Sequence, residues 1–277
     1  MENMNQWTEA ENMTVADLHT HTTFSDGESS VHAMAQAAFE RGLATLGISD
    51  HSYTPFDPVY CQSMKDSAAY RREVRRVCEE FAGRMEVLCG IEQDFCCGYA
   101  EEGFDYVIGS VHYIEVAPAL ARAAQGHVSP DGLHGYVSVD ETEEQFVAAC
   151  RVCFGGDYYA LARAYFENVA RVLPQTGATI VGHFDIISKY NRGNRYFDEA
   201  DERYERAWKD AADAIVAFAQ QSEAPVLVEI NHGGVFSGYR DVPYTAPAMQ
   251  DYFRERGIGC IQTSDAHCCD AIASFQR

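Results

Sequence analysis

The sequence predicts an α/β fold: a distorted TIM-like (βα)7 barrel with parallel strands, built as a single domain. Short apolar runs alternate with longer amphipathic segments, which is the order of parallel βα units rather than of an all-α or all-β fold. A length of 277 residues suits one barrel, so residues 1–277 are taken as one domain. Most of the apolar runs also end in a histidine or a carboxylate, as the strands of a catalytic barrel do.

Seven strands and six helices follow from the hydrophobic pattern. The predicted strands are Thr14–Leu18, Thr45–Ser49, Glu86–Ile91, Tyr106–Ser110, Thr179–Gly182, Val226–Ile230 and Gly259–Thr263. The predicted helices are residues 30–42, 63–82, 142–152, 157–174, 200–222 and 245–256. The sequence ends ten residues after His267, so no full helix follows the seventh strand, and we expect an open or differently capped barrel there.

Residues 116–138 interrupt this alternation. The segment carries Gly, Pro, Ser and two histidines between a strand and the next helix, and it is predicted as an inserted loop. On the strand-exit side of a barrel such a loop serves as a lid or pocket wall. A variable surface insertion is the equally weighted alternative.

Composition excludes several classes of partner. The formal net charge of −21 repels nucleic-acid polymers and anionic membranes. The polar N-terminus lacks a signal-peptide pattern and no run approaches the roughly 18 apolar residues of a membrane span, so a cytoplasmic protein is expected. The ten cysteines are accordingly predicted to be reduced thiols. Nothing in the sequence fixes an oligomeric state.

Six of the seven predicted strands deliver a histidine or a carboxylate at the C-terminal end. His19 and His21 follow the first strand and, with the period of two of an extended chain, project to the same side. The other strand ends are Ser49-Asp50-His51, Gly90-Ile91-Glu92, Gly109-Ser110-Val111-His112, Gly182-His183-Phe184-Asp185 and Ser264-Asp265-Ala266-His267. A parallel barrel places its active site at this end.

A single histidine at a strand end is as often structural as functional. Histidines or carboxylates at the same end of six strands favour a metal centre instead. The ligands are nitrogen and oxygen without thiolate, which suits zinc, iron or manganese. Sites that bind several such ions are suited to hydrolysis of phosphate esters.

The motif series DLHTHTTFSDG, SDH, GIE, GSVH, GHFD and SDAH resembles that of the polymerase and histidinol phosphatase (PHP) superfamily over almost the whole chain. The segments YVSVDETEEQF and GGDYYALARAYFENV are similar to the histidinol-phosphate phosphatase branch. This resemblance implies hydrolysis of L-histidinol phosphate to L-histidinol and phosphate, a step of histidine biosynthesis. The cationic amine and imidazole of that substrate suit an acidic protein.

By the same resemblance the site holds three divalent metal ions, and each ligand of the family has a counterpart here. The first ion is assigned to His19, His21, Glu92 and Asp265. The second is assigned to Glu92, His112 and His183. The third is assigned to Asp26, His51 and His267. Glu92 then bridges two ions, whereas Asp26 lies in Ser25-Asp26-Gly27, which is also a common turn.

The resemblance further implies attack of an activated water on phosphorus without a covalent phospho-enzyme. Glu92, Asp26, His267 and Lys189 are the predicted catalytic residues. Lys189 is the expected phosphate clamp. Further predicted substrate contacts are Asn231, His232, Arg195 and Arg240, with Arg192 a weaker candidate; surface solvation is the alternative for each arginine. Asp185 is expected to orient a ligand.

Two rival functions remain open at this point. The first is a PHP phosphoesterase acting on another small phosphomonoester or a nucleotide, since strand six ends in Asn231-His232-Gly233, where the histidinol phosphatase branch usually has a small hydroxyl residue after the asparagine. The second is a metal-binding regulatory barrel without catalysis, which the complete ligand set disfavours.

Overall fold

The computed structural model describes residues 16–273 and residue 275. The strands are β1 Ala16–Asp17, β2 Thr45–Ile48, β3 Glu86–Asp94, β4 Tyr106–Ser110, β5 Tyr113–Val116, β6 His127–Val128, β7 Gly135–Ser138, β8 Ile180–Val181, β9 Leu227–Asn231 and β10 Gly259–Thr263. The helices are α1 Val31–Glu40, α2 Ser67–Phe81, α3 Pro118–Ala123, α4 Glu143–Cys153, α5 Tyr158–Val169, α6 Val172–Thr176, α7 Glu202–Ala219, α8 Gly233–Phe236 and α9 Pro247–Glu255.

Seven parallel strands form one sheet in the order β1-β2-β3-β4-β8-β9-β10, which curls into a nearly closed barrel. This confirms the predicted fold class and each of the seven predicted strands, two of which, β4 and β10, match at both ends. Thr14 and Val15, predicted as the start of the first strand, lie outside the described residues.

The barrel is closed mainly at the C-terminal ends of its first and last strands. A parallel bridge joins Thr20 to Ala266, and the backbone N–H of His21 donates to the carbonyl of Ala266 at 2.8 Å. Below this bridge the buried carboxylate of Asp17 accepts hydrogen bonds from the backbone N–H groups of Ser264 at 3.0 Å and Ala273 at 2.9 Å. Residues 264–273, which follow β10, are thereby fastened to β1.

Apolar side chains fill the barrel interior below the mouth. Tyr106 lies across β2 and β3, and its hydroxyl donates to the carbonyl of Leu18 at 2.6 Å. A Cβ on Gly47 or Gly90 would lie 2.1 Å and 2.2 Å from atoms of that side chain, so only glycine fits at either position. The buried cluster comprises Leu18, Tyr106, Ile108, Ile180, Leu227 and Ile261. Polar ligands are therefore confined to the mouth.

The helices pack outside the sheet on two larger apolar clusters, one beneath α1 and α2 and one around the remaining long helices. Side-chain caps set the starts of α1 and α4, for example: Ser30 accepts from the N–H of Ala33 at α1, and Thr142 from that of Gln145 at α4. In the described part of the chain, no helix combines the length and apolar character needed to cross a membrane. All ten cysteines are free thiols.

Two helix predictions need correction, and two short helices were not predicted. The single helix predicted over residues 157–174 is two helices, α5 and α6, because Pro174 has no N–H to donate to the carbonyl four residues earlier and its ring crowds that carbonyl. The helix predicted over residues 63–82 begins as a 3-10 turn, Gln62–Asp66, and α2 follows it. The short helices α3 and α8 were not predicted, since each spans less than two turns.

Residues 116–138 are not the irregular loop that the sequence predicts. With β5 they form a three-stranded antiparallel sheet, in the order β5-β7-β6, and the helix α3 packs against it. The strands are too short for alternation to be visible in the sequence, and β6 has only two residues. We refer to residues 113–138 as the insertion.

Candidate metal centre

All nine predicted ligands converge at the mouth of the barrel. Strand ends deliver eight of them directly, and a turn after β1 brings Asp26 back over the mouth. The carboxylate of Asp50 organises this turn by accepting from the N–H groups of Thr22 at 2.7 Å and Ser25 at 3.0 Å. A Cβ on Gly27 would lie 2.6 Å from the backbone of His21, so the turn requires glycine there.

The first predicted subsite is formed by side chains from β1, β3 and the end of β10. The Nε2 atom of His19 lies 3.4 Å from Oε2 of Glu92 and 3.5 Å from Oδ1 of Asp265. The Nε2 atom of His21 lies 3.1 Å from the same Asp265 oxygen and 3.7 Å from Oε2 of Glu92. Asp265 itself adopts a left-handed backbone conformation with φ of 53°, a strained geometry typical of functional sites.

The second predicted subsite uses the other oxygen of Glu92. Oε1 lies 2.9 Å from Nε2 of His183 and 3.3 Å from Nε2 of His112. The two ring nitrogens are 3.2 Å apart and face each other across this carboxylate oxygen. Oε2 of Glu92 thus faces the first predicted subsite and Oε1 faces the second.

The third predicted subsite is the most exposed. The carboxylate of Asp26 lies 3.6 Å from Nε2 of His51 and 3.3 Å from Nε2 of His267. Two histidines also approach carboxylates of subsites to which they were not assigned. Nδ1 of His21 lies 3.8 Å from Asp26, and Nδ1 of His51 lies 2.7 Å from Oε2 of Glu92. The three subsites therefore form one continuous cluster.

The ionisable side chains of the cluster favour a positive charge at its centre. At Glu92, burial raises the pKa, but His51 and His19 outweigh it and hold the pKa well below its ordinary value. At His112, burial lowers the pKa, but Glu92 and Asp94 outweigh it and raise the pKa to about 10. The carboxylate is therefore ionised, and it stabilises cations beside it.

The donor set fits divalent metal ions. Among the described residues, Nε2 of His19 and Nδ1 of His21 are buried without a hydrogen-bond partner, although both face carboxylates of the cluster. Burial and the neighbouring His267 lower the pKa of His21 to about 3, which keeps its ring neutral and able to donate a lone pair. Unpaired buried polar atoms are costly, and a coordinated cation removes that cost.

Two carboxylates behind the ligands were missed by the sequence analysis. Oε1 of Glu229 lies 2.7 Å from Nδ1 of His19, and Oδ2 of Asp94 lies 3.1 Å from Nδ1 of His112. Such partners fix the orientation of a ligating imidazole. Glu229 precedes Asn231 by two residues in β9, so strand periodicity places both on the inner face, which was the available signal.

We expect Glu229→Gln to weaken metal binding by about 10–100-fold, because the amide orients His19 less strongly and donates less charge to it. Elemental analysis after dialysis at graded metal concentrations measures this. The matched control is Glu223→Gln in the exposed connection before β9, which should bind metal as the unaltered protein does. Equal metal binding by both variants would contradict the orienting role.

A cavity of about 160 Å³ opens over the cluster. Seven of the nine predicted ligands line it together with Asp140, Lys189, Tyr239 and Tyr244. Nζ of Lys189 donates to the backbone carbonyl of Asp140 at 2.7 Å and lies 5.2 Å from the centre of the Tyr239 ring. Lys189, the predicted phosphate-binding residue, therefore lies beside the predicted metal ligands.

Two predicted substrate contacts of strand six lie elsewhere. His232 is on the outer face of the barrel, where its Nε2 pairs with Oε1 of Gln262 at 2.6 Å, because side chains alternate along a strand and Asn231 takes the inner position. Asn231 is fully buried and donates to Glu229 and Asp265, so it supports ligands instead of lining the cavity.

The two arginines predicted to contact the substrate form ion pairs with carboxylates of the protein. Arg240 is buried and forms a two-pronged ion pair with Glu199, at 2.7 and 2.9 Å. Arg195 is exposed and pairs with Glu143 in a neighbouring groove. The structure thus brings neither arginine to the cavity over the cluster.

Two further side chains form contacts away from the ligand cluster. Arg192 is exposed and pairs with Asp241, as the surface alternative predicted. Asp185 was expected to orient a ligand, but its carboxylate accepts from the backbone N–H of Thr245. Burial raises the pKa of Asp185 to about 6.

The sequence and the fold are similar to those of known proteins. The PHP domain model matches residues 17–233. A relative from Deinococcus radiodurans, named as a probable histidinol-phosphatase, is 30% identical over 91% of this chain and 86% of its own. The fold is similar to that of a candidate histidinol phosphatase from Listeria monocytogenes, with a TM-score of 0.70 and 19% identity over 93% of this chain and 97% of the other.

A second solved structure has the same fold at a TM-score of 0.58. It is a histidinol phosphate phosphatase from Lactococcus lactis in complex with zinc, L-histidinol and phosphate, 18% identical over 93% of this chain and 88% of the other. The family match covers well over half of the chain and agrees with the motif resemblance and the barrel described above. The chain belongs to the PHP domain family.

Proposed function

We propose that this protein is a metal-dependent phosphomonoesterase that hydrolyses L-histidinol phosphate to L-histidinol and phosphate. The observation that carries the proposal is the complete set of nine ligands at the barrel mouth, with Lys189 on the wall of the same cavity. The sequence similarity to a probable histidinol-phosphatase over most of both chains supports the choice of substrate.

The three subsites described above would hold three divalent ions, zinc, iron or manganese, with Glu92 shared between two of them. When bound, such ions neutralise charge on phosphoryl oxygens and activate water near neutral pH. Glu92, Asp26 and His267 keep the catalytic role predicted for them, because all three face the cavity where the ester must lie.

Lys189 binds a phosphoryl oxygen in this proposal. Its ammonium group is partly exposed, lies on the cavity wall and is positioned by the carbonyl of Asp140. A lysine at this point supplies a compact positive charge that stabilises the charge on phosphorus oxygens as the alkoxide leaves. The hydroxyl of Tyr190 donates to the same carbonyl at 2.7 Å and keeps that segment in place.

The cavity favours a small ester that carries a positive charge. A volume of about 160 Å³ is of the size that a small ester needs. The carboxylate of Asp140 lines the cavity outside the ligand cluster, 3.9 Å from Lys189, and offers a contact for a substrate ammonium group. The net charge of −21 disfavours a phosphate ester at long range, and a positively charged ammonium group on the substrate reduces this repulsion.

Phosphate release from a panel of esters tests the proposal. The panel contains L-histidinol phosphate, its analogue without the amine, a nucleoside monophosphate and a sugar phosphate, each with zinc-loaded or manganese-loaded protein. We expect the highest kcat/KM for L-histidinol phosphate, about tenfold or more above the analogue without the amine. Preference for the nucleotide would contradict the substrate assignment, and inertness towards every ester would favour the non-catalytic alternative.

A further inference from the structure

A second cluster of metal-binding side chains lies apart from the catalytic centre. Four groups of closely spaced histidine and carboxylate side chains occur among the described residues, and three of them make up the centre. The fourth consists of Asp57, His127 and Glu141, whose ligand atoms all lie within 4.8 Å of one another. Nε2 of His127 is 3.4 Å from Oδ2 of Asp57 and 3.0 Å from Oε2 of Glu141.

The three side chains come from three separate segments. Asp57 lies in the connection after β2, which also carries the ligand His51 near its start. His127 belongs to β6 of the insertion, and Glu141 follows the insertion just before α4. A ligand held by all three would join the insertion to the barrel.

Packing holds the two inner side chains in place. The hydroxyl of Tyr113 donates to Oδ2 of Asp57 at 2.8 Å, and its ring meets the ring of His127 edge-on at 5.7 Å. Phe56, next to Asp57, stacks on Tyr136 of the insertion at 3.8 Å. The side chains of Asp57 and His127 are only 10% and 18% exposed, whereas that of Glu141 is 40% exposed.

The charges at this cluster are unbalanced. Two carboxylates face a single imidazole, and the hydrogen bond to Glu141 raises the pKa of His127. A proton on His127 supplies one positive charge against two negative ones. A divalent cation balances both carboxylates and uses the imidazole as a neutral ligand.

We propose that Asp57, His127 and Glu141 bind one divalent cation, with zinc preferred, which fastens the insertion to the barrel outside the catalytic centre. One imidazole nitrogen and two carboxylate oxygens match the ligand preferences of zinc. Three protein ligands leave a fourth position for water on the exposed side of Glu141.

Zinc content measures this site directly. After saturation with zinc and dialysis, we expect His127→Gln to retain about one zinc ion per chain fewer than the unaltered protein. Glu141→Gln, at a more exposed position, should show the same loss and guards against misfolding of the first variant. The matched control is His134→Gln, which removes an exposed imidazole of the same insertion, paired with Glu115 at 2.7 Å, and should retain every ion.

Thermal unfolding provides the second readout. Zinc added to metal-free protein should raise the Tm of the unaltered chain and of His134→Gln by more than it raises that of His127→Gln. Equal zinc content and equal Tm shifts in all four proteins would overturn the proposal. The cluster would then be an ion-pair network in which a protonated His127 pairs with Asp57 and Glu141. Because neither measurement uses a substrate, failure to hydrolyse L-histidinol phosphate would not bear on it.

Discussion

The Glu92→Gln variant is expected to lose bound metal and turnover together, with kcat/KM falling by about a thousandfold or more. Each oxygen of Glu92 serves a different subsite: Oε1 faces His112 and His183, and Oε2 faces His19 and His51. An amide carries no charge and places an NH2 group where one oxygen was. Two subsites are therefore weakened by one substitution.

Elemental analysis and phosphate-release kinetics on the same preparation measure this effect. Glu86→Gln is the matched control, because it makes the same change on β3 at the opposite, exposed end of the strand. The control should keep its metal and its activity. Normal metal content and normal turnover in Glu92→Gln would refute the bridging role, and circular dichroism separates loss of metal from loss of fold.

Strand polarity made most of the centre predictable from the sequence. Parallel strands all end at the same mouth, so a histidine or carboxylate after each strand had to converge with the others. Asp26 lies in a turn away from any strand end, and only the family resemblance identified it. Glu229 was missed because the role of a carboxylate inside a buried strand becomes clear only from the side chain that it contacts. That side chain, His19, is 210 positions away in the sequence.

The errors share the same physical origin. Arg240 was predicted at the substrate, but Glu199, 41 residues away in sequence, binds its guanidinium. His232 follows the inward-facing Asn231 and therefore points outward. Predicting this requires the exact register of the strand, and strand boundaries predicted from sequence carry errors of about two to four residues. The insertion was predicted as a loop because strands of two to four residues carry too little periodicity.

Lys189→Ala is expected to lower kcat/KM by about 100–1,000-fold while the metal content stays unchanged. Lys189 lines the cavity, but its hydrogen bond goes to the carbonyl of Asp140 and not to a metal ligand. That carbonyl keeps the hydroxyl of Tyr190 as a donor after the substitution, so the fold should be little affected. The loss should therefore be confined to steps that involve phosphate.

Three measurements separate this role from a structural one. Elemental analysis should give the same metal content as the unaltered protein, inhibition by inorganic phosphate should weaken, and Lys189→Arg should restore part of the activity because it restores the charge. Lys209→Ala is the control: Lys209 is on α7, does not line the cavity and pairs with Glu205. Loss of metal from Lys189→Ala would overturn the assignment, because a phosphate clamp has no part in holding the ions.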